Sequence, residues 1–292
     1  MPGAPSPAGP GQDRHYGIPC GACRPWATGS RCDPLLASER LASNRHNMAV
    51  QRWTATDGRA KACPMSVEDQ LRTFVLVPGA WHGAWAWDGI VARLREAGHQ
   101  AVAVTLDGLE PDPSPASAGA NLDTHIDRVL TVLDACGPGP ITLCAHSYAG
   151  LVAAGAADRS TRPIDRLVFC DAIVPADGDS WWDRVNDHYR NRAIAGVRAD
   201  GRTVAPGAGK DPRRRPHPVA SFLQRLRLGD GIDRVARRTF IYASGWAATP
   251  FHEQYERLRT APAWEVHELA VAHAVYDEAP DDLFAILTDN AR

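Results

Sequence analysis

The stretch LCAHSYAG, residues 143–150, contains a serine whose surroundings are those of a nucleophile. A serine hydroxyl reacts poorly at neutral pH unless a base and oxyanion-stabilising donors lie beside it. The motif Gly-x-Ser-x-Gly places such a serine on a strained strand-to-helix turn, where small flanking residues let the backbones approach closely. Here Ala145 and Ala149 replace the two glycines, each adding one methyl group, and Gly150 follows directly. We predict that Ser147 is a nucleophile; a buried structural serine is the alternative.

A glycine-containing loop offers the donors that a serine nucleophile needs. The segment VLVPGAWHGAWAW, residues 75–87, continues the first clear strand and precedes Ser147 by some 70 residues. A loop in this position can aim a backbone N–H at an oxyanion, and the residue after the nucleophile supplies a second N–H. We therefore expect the oxyanion donors to be the amides of Ala80 and Tyr148. The alternative is that Pro78-Gly79 forms only a turn.

The base is expected near the end of the chain, after the last strand. The segment WEVHELAVAHAVYDEAP, residues 264–280, contains His267 and His273. His267 falls within the strand pattern and is interpreted as structural. His273 falls in the following loop, from which an imidazole can reach a serine, so we predict that His273 is the general base.

The fold must bring these residues together, although they lie far apart in the sequence. Short β-branched runs alternate with longer amphipathic stretches, a pattern typical of a mostly parallel sheet with helices on both faces, the α/β class. The predicted strands are 73–77, 100–106, 140–146, 164–171, 237–244 and 264–270, and the predicted helices are 87–99, 121–136, 149–159 and 279–290.

One interval is too long for a plain crossover between strands. Some 65 residues separate the strands at 164–171 and 237–244, although about a dozen would suffice. The interval contains two stretches of helical pattern, SWWDRVNDHYRNRA and PHPVASFLQRLRLGDGI, joined by a loop rich in Gly, Pro and Arg at 200–216. We interpret residues 175–236 as an inserted helical cap. Trp181 and Trp182 near its start either line a pocket or pack the cap.

Three motifs in this order resemble the α/β-hydrolase superfamily over residues 70–290. FVLVPGAWHGAWAW is similar to the first-strand signature of the plant-type esterase and hydroxynitrile-lyase branch, in which His-Gly usually stands in place of Pro78-Gly79. AHSYAG resembles the GHSYGG of that branch, and AVAHAVYDEAPDDL resembles its histidine loop. The resemblance implies a serine-nucleophile hydrolase with a helical cap and no cofactor or metal.

The three motifs identify a nucleophile and a base, but they do not identify the acid that orients the base in a catalytic triad. The family usually supplies it from the loop after the strand at 237–244, but here that loop reads SGWAATPFHEQ, with Trp246 near the expected position. Some α/β hydrolases take the acid from the end of the preceding strand, where this chain has Asp171. A carboxylate after so apolar a run is costly to bury without a partner, and His273 would be one. We expect Asp171, with Glu253 or an incomplete triad as alternatives.

Several aromatic and histidine side chains flank the expected site. His82 either contacts substrate or shapes the oxyanion loop, Trp81 either lines the substrate pocket or packs the core, and His146 is expected to pack against the loop. The same two interpretations, pocket or core, apply to Tyr148 and Trp85.

The first 64 residues differ in composition from the rest of the chain. They carry eight Lys/Arg against four Asp/Glu, are rich in Pro, Gly, Ala, Ser and Arg, and show no periodicity. We interpret residues 1–64 as a disordered extension of a domain spanning 65–292, with Met48 and Met65 as alternative start sites. Cys20 and Cys23 have a metal-knuckle spacing, but no second Cys-x-x-Cys follows, so free thiols are favoured over zinc.

Composition limits the partners and the compartment. The chain is 44% apolar with a net charge of −2, and its acidic body has no basic stripe, so we expect no nucleic acid. No run reaches the ~18 apolar residues of a membrane span, and no secretory signal is recognisable. We therefore expect a cytoplasmic protein with reduced cysteines and a small-molecule substrate; a homodimer stays open.

The leading functional hypothesis is hydrolysis of a carboxylic ester, thioester or lactone of moderate, largely apolar size. The resembling lyases use a threonine in the first loop and a lysine after the histidine, where this chain has Gly79 and Ala274. That departure disfavours cyanohydrin cleavage but leaves other carbon–carbon cleavage or cyclisation open. A small-molecule receptor is the third alternative. The Arg213–Arg215 run is interpreted as solvated surface rather than as a contact for an anionic substrate.

Overall fold

Six parallel strands form the central sheet in the order β2-β1-β3-β4-β7-β8. Most are short apolar runs whose side chains are buried on both faces, as expected of a parallel sheet covered by helices. The strands are β1 (Thr73–Val77), β2 (Gln100–Ala103), β3 (Ile141–His146), β4 (Arg166–Cys170), β7 (Arg237–Ala243) and β8 (Glu265–Leu269). This architecture confirms the predicted α/β class.

The computed structural model describes residues 71–113, 117, 119–208 and 211–289. The predicted extension at 1–64, its cysteines and the start of the domain at residue 65 lie outside these residues. Cys144 and Cys170 are free and buried, as expected of small core residues, and Cys136 is half-buried. Within the described ranges, no helix is long and apolar enough to cross a membrane.

Helices cover both faces of the sheet because neighbouring strand residues point in opposite directions. Val75 packs in one apolar cluster with Leu151 of α3, and Leu76 packs in another with Ile90 of α1 and Leu283 of α10. The covering helices are α1 (Asp88–Glu96), which a 3₁₀ helix at Ala84–Trp87 precedes, α2 (Leu122–Ala135), α3 (Ala149–Arg159), α8 (His252–Leu258), α9 (Val275–Glu278) and α10 (Pro280–Thr288).

The segment between β4 and β7, residues 171–236, contains short helices and a two-stranded ribbon. Its elements are α4 (Trp181–Arg184), α5 (Asp187–Gly196), β5 (Thr203–Val204), β6 (His217–Pro218), α6 (Val219–Leu223) and α7 (Gly231–Arg234). The ribbon pairs β5 with β6 in antiparallel register. The two strands of this ribbon therefore replace parts of the predicted loop at 200–216 and of the helix predicted to follow it.

The second helical stretch predicted for this segment is wrong over most of its length. Only the five residues of α6 are helical before the chain turns at Gln224. The Gln224 side chain accepts a hydrogen bond from the Leu122 amide at the start of α2, and the Leu226 amide and carbonyl pair with Asp179 and Gly178. These contacts satisfy backbone groups that a continued helix would have paired internally, so tertiary hydrogen bonding overrides the helical periodicity.

The turn after β3 depends on a glycine one position later than the usual motif. The Ser147 carbonyl accepts from the amides of Gly150 and Ile173, which brings the start of α3 against the chain that follows β4. A Cβ atom at Gly150 would lie 1.9 Å from the Ile173 carbonyl oxygen. Ala145 and Ala149 are fully buried beside it. The close approach therefore requires glycine at position 150, while positions 145 and 149 accommodate alanine.

We predict that Gly150→Ala lowers the free energy of unfolding by about 2 kcal/mol or more, because the added methyl group must displace backbone rather than a flexible side chain. Chemical denaturation measures the change. Gly89→Ala in α1 is the matched control, since nothing lies within 4 Å of a Cβ atom there. That variant should be neutral or slightly more stable. Equal stabilities of the two variants would contradict this account of the turn.

Candidate active site

Three strand ends bring Ser147, His273 and Asp171 into one hydrogen-bonded chain. His273 Nε2 lies 2.9 Å from Ser147 Oγ, and His273 Nδ1 lies 2.6 Å from Asp171 Oδ2. Ser147 follows β3, Asp171 follows β4, and His273 follows β8, so all three lie at the carboxyl edge of the parallel sheet. Ligands of open α/β sheets bind at this edge. The arrangement is that of a nucleophile, a base and an orienting acid.

The backbone is in a left-handed conformation at three positions of this site. Within the described residues, the non-glycine residues with positive φ are Trp81 at 68°, Ser147 at 58° and Asp171 at 41°. This region is unfavourable for residues with a Cβ atom and occurs mostly where the surrounding structure enforces it. At Ser147 and Asp171 the enforcement is mutual, because the Ser147 amide donates to the Asp171 carbonyl.

Asp171 is the carboxylate that reaches the base. Its side chain is fully buried, and Oδ1 accepts from the Ala243 amide while Oδ2 faces His273. Burial raises the pKa of Asp171, and the hydrogen bond from the Ala243 amide acts in the opposite direction. The alternative acid, Glu253, is exposed on α8 and makes no hydrogen bond to His273. The geometry therefore favours Asp171 over Glu253.

His273 is stacked on a tryptophan ring and is influenced by the charge of an arginine. The Trp246 ring stacks on the imidazole with centroids 4.5 Å apart and an interplanar angle of 25°. Burial, with the positive charge of Arg214, lowers the pKa of His273 to about 3. The imidazole is therefore neutral at neutral pH, the form in which Nε2 can accept a proton when Nδ1–H donates to Asp171.

Two backbone amides near Ser147 are free to bind an oxyanion. Across the described part of the chain, neither the Ala80 amide nor the Tyr148 amide donates to an acceptor. The Ala80 loop comes close because position 79 is glycine: a Cβ atom there would lie 2.8 Å from His146 Nδ1 and 2.9 Å from Ser147 Cβ. Both amides predicted as oxyanion donors therefore have unused N–H groups in segments that lie next to Ser147.

His146 connects the nucleophile turn to the base loop. Its Nε2–H donates to the His273 carbonyl over 2.9 Å, and its Nδ1 has no hydrogen-bond partner. The unpartnered nitrogen faces Gly79, which agrees with the prediction that His146 packs against the oxyanion loop. The hydrogen bond to the His273 backbone was not foreseen, because it joins residues 127 positions apart.

A buried polar network lies under the site and includes two histidines that sequence reasoning missed. His125 Nε2 donates to the Asp107 carbonyl, so Nδ1 accepts from the Tyr148 hydroxyl at 2.8 Å. His217 Nδ1 accepts from the Trp81 amide, so Nε2–H donates to Ser221 Oγ at 2.9 Å. The network holds the oxyanion loop and the serine turn against the segment between β4 and β7. The one sequence signal for this network is His125, a polar residue among the apolar residues on the buried face of α2.

A cavity of about 280 Å³ opens beside Ser147 and His273. Of the residues expected to line it, Trp81, His82 and Trp181 do so. Trp182 does not: it is half-buried and packs against the core, which corrects that expectation. His82 Nδ1 also lies 2.8 Å from the Ala80 carbonyl, so it shapes the oxyanion loop as well.

Comparison with known proteins agrees with the fold and the motifs. The model of the alpha/beta hydrolase family matches residues 74–286. A carbendazim hydrolyzing esterase of Nocardioides sp. (strain SG-4G) is 31% identical over 234 residues, which cover 73% of this chain and 97% of that protein. The probable esterase PIR7A of Oryza sativa subsp. indica is 32% identical over 148 residues, 50% of this chain and 56% of that protein.

A solved structure supports the same fold. An extracellular alpha/beta-hydrolase from a Paenibacillus species superimposes with a TM-score of 0.64 at 20% identity and covers 75% of this chain and 99% of that one. The chain therefore belongs to the α/β-hydrolase family. Its relatives are those of the plant-type esterase and hydroxynitrile-lyase branch, and it is an esterase-type hydrolase.

We predict that Tyr148→Phe lowers the free energy of unfolding by about 1–3 kcal/mol, because it leaves the buried His125 Nδ1 acceptor without a partner. Urea denaturation measures the change. Tyr255→Phe is the matched control: its hydroxyl donates to Glu268 at the surface, so the loss should be below about 1 kcal/mol. Equal losses in the two variants would show that the buried network adds no stability.

Proposed function

We propose that the chain is a serine hydrolase that cleaves a carboxylic ester, thioester or lactone through an acyl-enzyme. The observation that carries the proposal is the hydrogen-bonded triad of Ser147, His273 and Asp171. His273 Nε2 lies 2.9 Å from Ser147 Oγ, and His273 Nδ1 lies 2.6 Å from Asp171 Oδ2. Ser147 and His273 line a cavity, and two backbone amides with unused N–H groups lie in the adjacent segments. Nucleophile, base, acid and oxyanion donors are the complete set that acyl transfer needs. The Nocardioides relative, named for hydrolysing carbendazim, and the rice relative named as a probable esterase support the same chemistry.

In the proposed mechanism, Ser147 Oγ attacks the substrate carbonyl while His273 Nε2 takes its proton. The amides of Ala80 and Tyr148 bind the resulting oxyanion, a contribution of about 3–4 kcal/mol for a donor in other hydrolases. Asp171 accepts Nδ1–H and stabilises the imidazolium. His273 then gives the proton to the leaving group, and water, activated by the same base, hydrolyses the acyl-enzyme.

Trp246 assists the proposed base in place of a loop carboxylate. Its ring lies nearly parallel to the imidazole, so the negative face of the π-system is directed at a ring that becomes cationic during attack. The stacked indole also keeps water from one face of His273. The tryptophan therefore supports the charge on His273 while the carboxylate comes from β4.

The cavity also supports hydrolysis over cyanohydrin cleavage. The resembling lyases use a threonine where this chain has Gly79, yet even a single Cβ atom at that position would lie 2.8 Å from His146 Nδ1. Ala274, at the position of their lysine, lines the cavity without a charge. The segment between β4 and β7 contributes Trp181, Val185 and Tyr189 to the same wall, which supports its role as a cap.

We predict that a fluorophosphonate probe labels the wild-type protein and the Ser180→Ala variant but not Ser147→Ala. Ser147 Oγ lies in the cavity 2.9 Å from His273 Nε2, whereas Ser180 Oγ lies outside the cavity and donates to Asp183 in α4. Mass spectrometry of the labelled peptide measures the modification. An unlabelled wild-type protein would overturn the proposed function.

We predict that Asp171→Asn lowers kcat for a p-nitrophenyl ester by about three to four orders of magnitude, because an amide cannot hold the imidazole in the required tautomer and charge state. Glu253→Gln on the exposed face of α8 should leave kcat within about twofold of the wild-type value. Initial rates at saturating ester measure both. Unchanged turnover in Asp171→Asn would reject Asp171 as the acid.

A further inference from the structure

Two arginines project into the cavity that contains Ser147. Arg192 on α5 and Arg214, in the loop before β6, are both half-buried and both line it. Within the described residues, neither guanidinium makes a salt bridge or donates a hydrogen bond, and the buried Nε of Arg214 has no partner. The carboxylates whose charge reaches Arg214, those of Asp211 and Asp277, lie beyond salt-bridge distance.

Trp81 holds both arginines in place. Its carbonyl accepts from the Arg215 amide, and its amide donates to His217, so the residues that follow Arg214 are tied to the oxyanion loop. The guanidinium carbon of Arg192 lies 5.7 Å from the Trp81 ring centroid. The left-handed backbone of Trp81 therefore sets the position of the two cations relative to Ser147.

Neither of these two like-charged arginines is in contact with a carboxylate of the described residues. Burial and, less strongly, the charge of Arg192 lower the pKa of Arg214. Burial also lowers the pKa values of His82, His146 and His273, and the charge of Arg214 adds to this effect. Guanidinium groups without a carboxylate partner are costly to bury and bind planar anions through two parallel hydrogen bonds. Glu278, whose side chain also lines the cavity, accepts a hydrogen bond from the Ala272 amide and pairs with neither arginine.

We propose that the substrate is an ester that carries a carboxylate, and that Arg192 and Arg214 bind this carboxylate while the ester carbonyl lies at Ser147. The proposal deepens and rests on the proposed function, and it replaces the expectation of a largely apolar substrate. It also assigns Arg214, which the sequence pattern placed at the surface, to the substrate site. A cavity of about 280 Å³ suits a short dicarboxylic monoester.

Binding tests the proposal without turnover. The Ser147→Ala protein is titrated with glutarate or with dimethyl glutarate, and the fluorescence of Trp81, Trp181 and Trp246, which line the cavity, is recorded. We expect saturable binding of glutarate and at least about tenfold weaker binding of the diester. Adding Arg192→Gln or Arg214→Gln should weaken glutarate binding about tenfold or more. Equal binding of the two ligands, or no saturable glutarate binding, would overturn the proposal.

Arg213→Gln is the matched control from the same loop. Arg213 is exposed, pairs with Asp211 and stacks over Trp85, and it does not line the cavity. Glutarate binding by this variant should stay within about twofold of the parent protein. A loss equal to that of Arg214→Gln would mean that general positive charge, rather than a placed arginine, attracts the anion, and would overturn the assignment.

Turnover separates this inference from the proposed function. We expect wild-type kcat/KM to be higher for monomethyl glutarate than for dimethyl glutarate, and this ratio to fall about tenfold or more in Arg214→Gln. Because the ratio compares two substrates in one variant, a general loss of activity cancels. Hydrolysis of both esters without preference would reject the carboxylate site alone. Glutarate binding without any hydrolysis would reject the proposed function and leave the carboxylate site standing.

Discussion

The site depends on the backbone hydrogen bond from the Ser147 amide to the Asp171 carbonyl. This bond joins the turns after two adjacent strands, and both of its residues have left-handed backbones. Such conformations cost about 1–3 kcal/mol each and persist only when surrounding contacts enforce them. The amides of Gly150 and Ile173, which donate to the Ser147 carbonyl, supply further enforcement. The proposed nucleophile and acid are therefore positioned by one backbone unit, and the loop after β8 brings His273, the proposed base, beside them.

Burial determines the charge states around this unit. His82, His125, His146, His217 and His273 all have lowered pKa values, with burial as the largest cause. Neutral imidazoles both donate and accept, so they can connect backbone groups across the site without introducing charge. Arg214 adds the positive potential that further lowers the pKa values of three of them. The cavity therefore combines a neutral imidazole at His273 with the cationic side chains of Arg192 and Arg214.

The proposed acid, Asp171, follows β4 rather than β7, and it still reaches His273 because the ends of these two strands are adjacent. β4 and β7 pair in parallel, and the Ala243 amide at the end of β7 donates to Asp171 Oδ1. A carboxylate at the end of either strand can therefore approach the same imidazole nitrogen. Trp246 then occupies the space beside the base and stacks on it. To reach the imidazole, the proposed acid must lie at the correct edge of the sheet, and its position along the sequence matters less.

The sequence by itself determined the α/β fold class, the strands and the main helices. It also predicted the members of the candidate site that lie in local motifs: Ser147 after an apolar strand, Ala80 in the first loop, and His273 after the last strand. These follow from short-range patterns of burial and turn chemistry. Only the tertiary structure placed Asp171 rather than Glu253 against His273, turned Arg214 into the cavity, and paired His125 with Tyr148. It also ended the helix predicted after Pro218, because Gln224 and Leu226 found partners far away in the chain. Each of these depends on contacts between residues distant in sequence, for which local periodicity contains no signal.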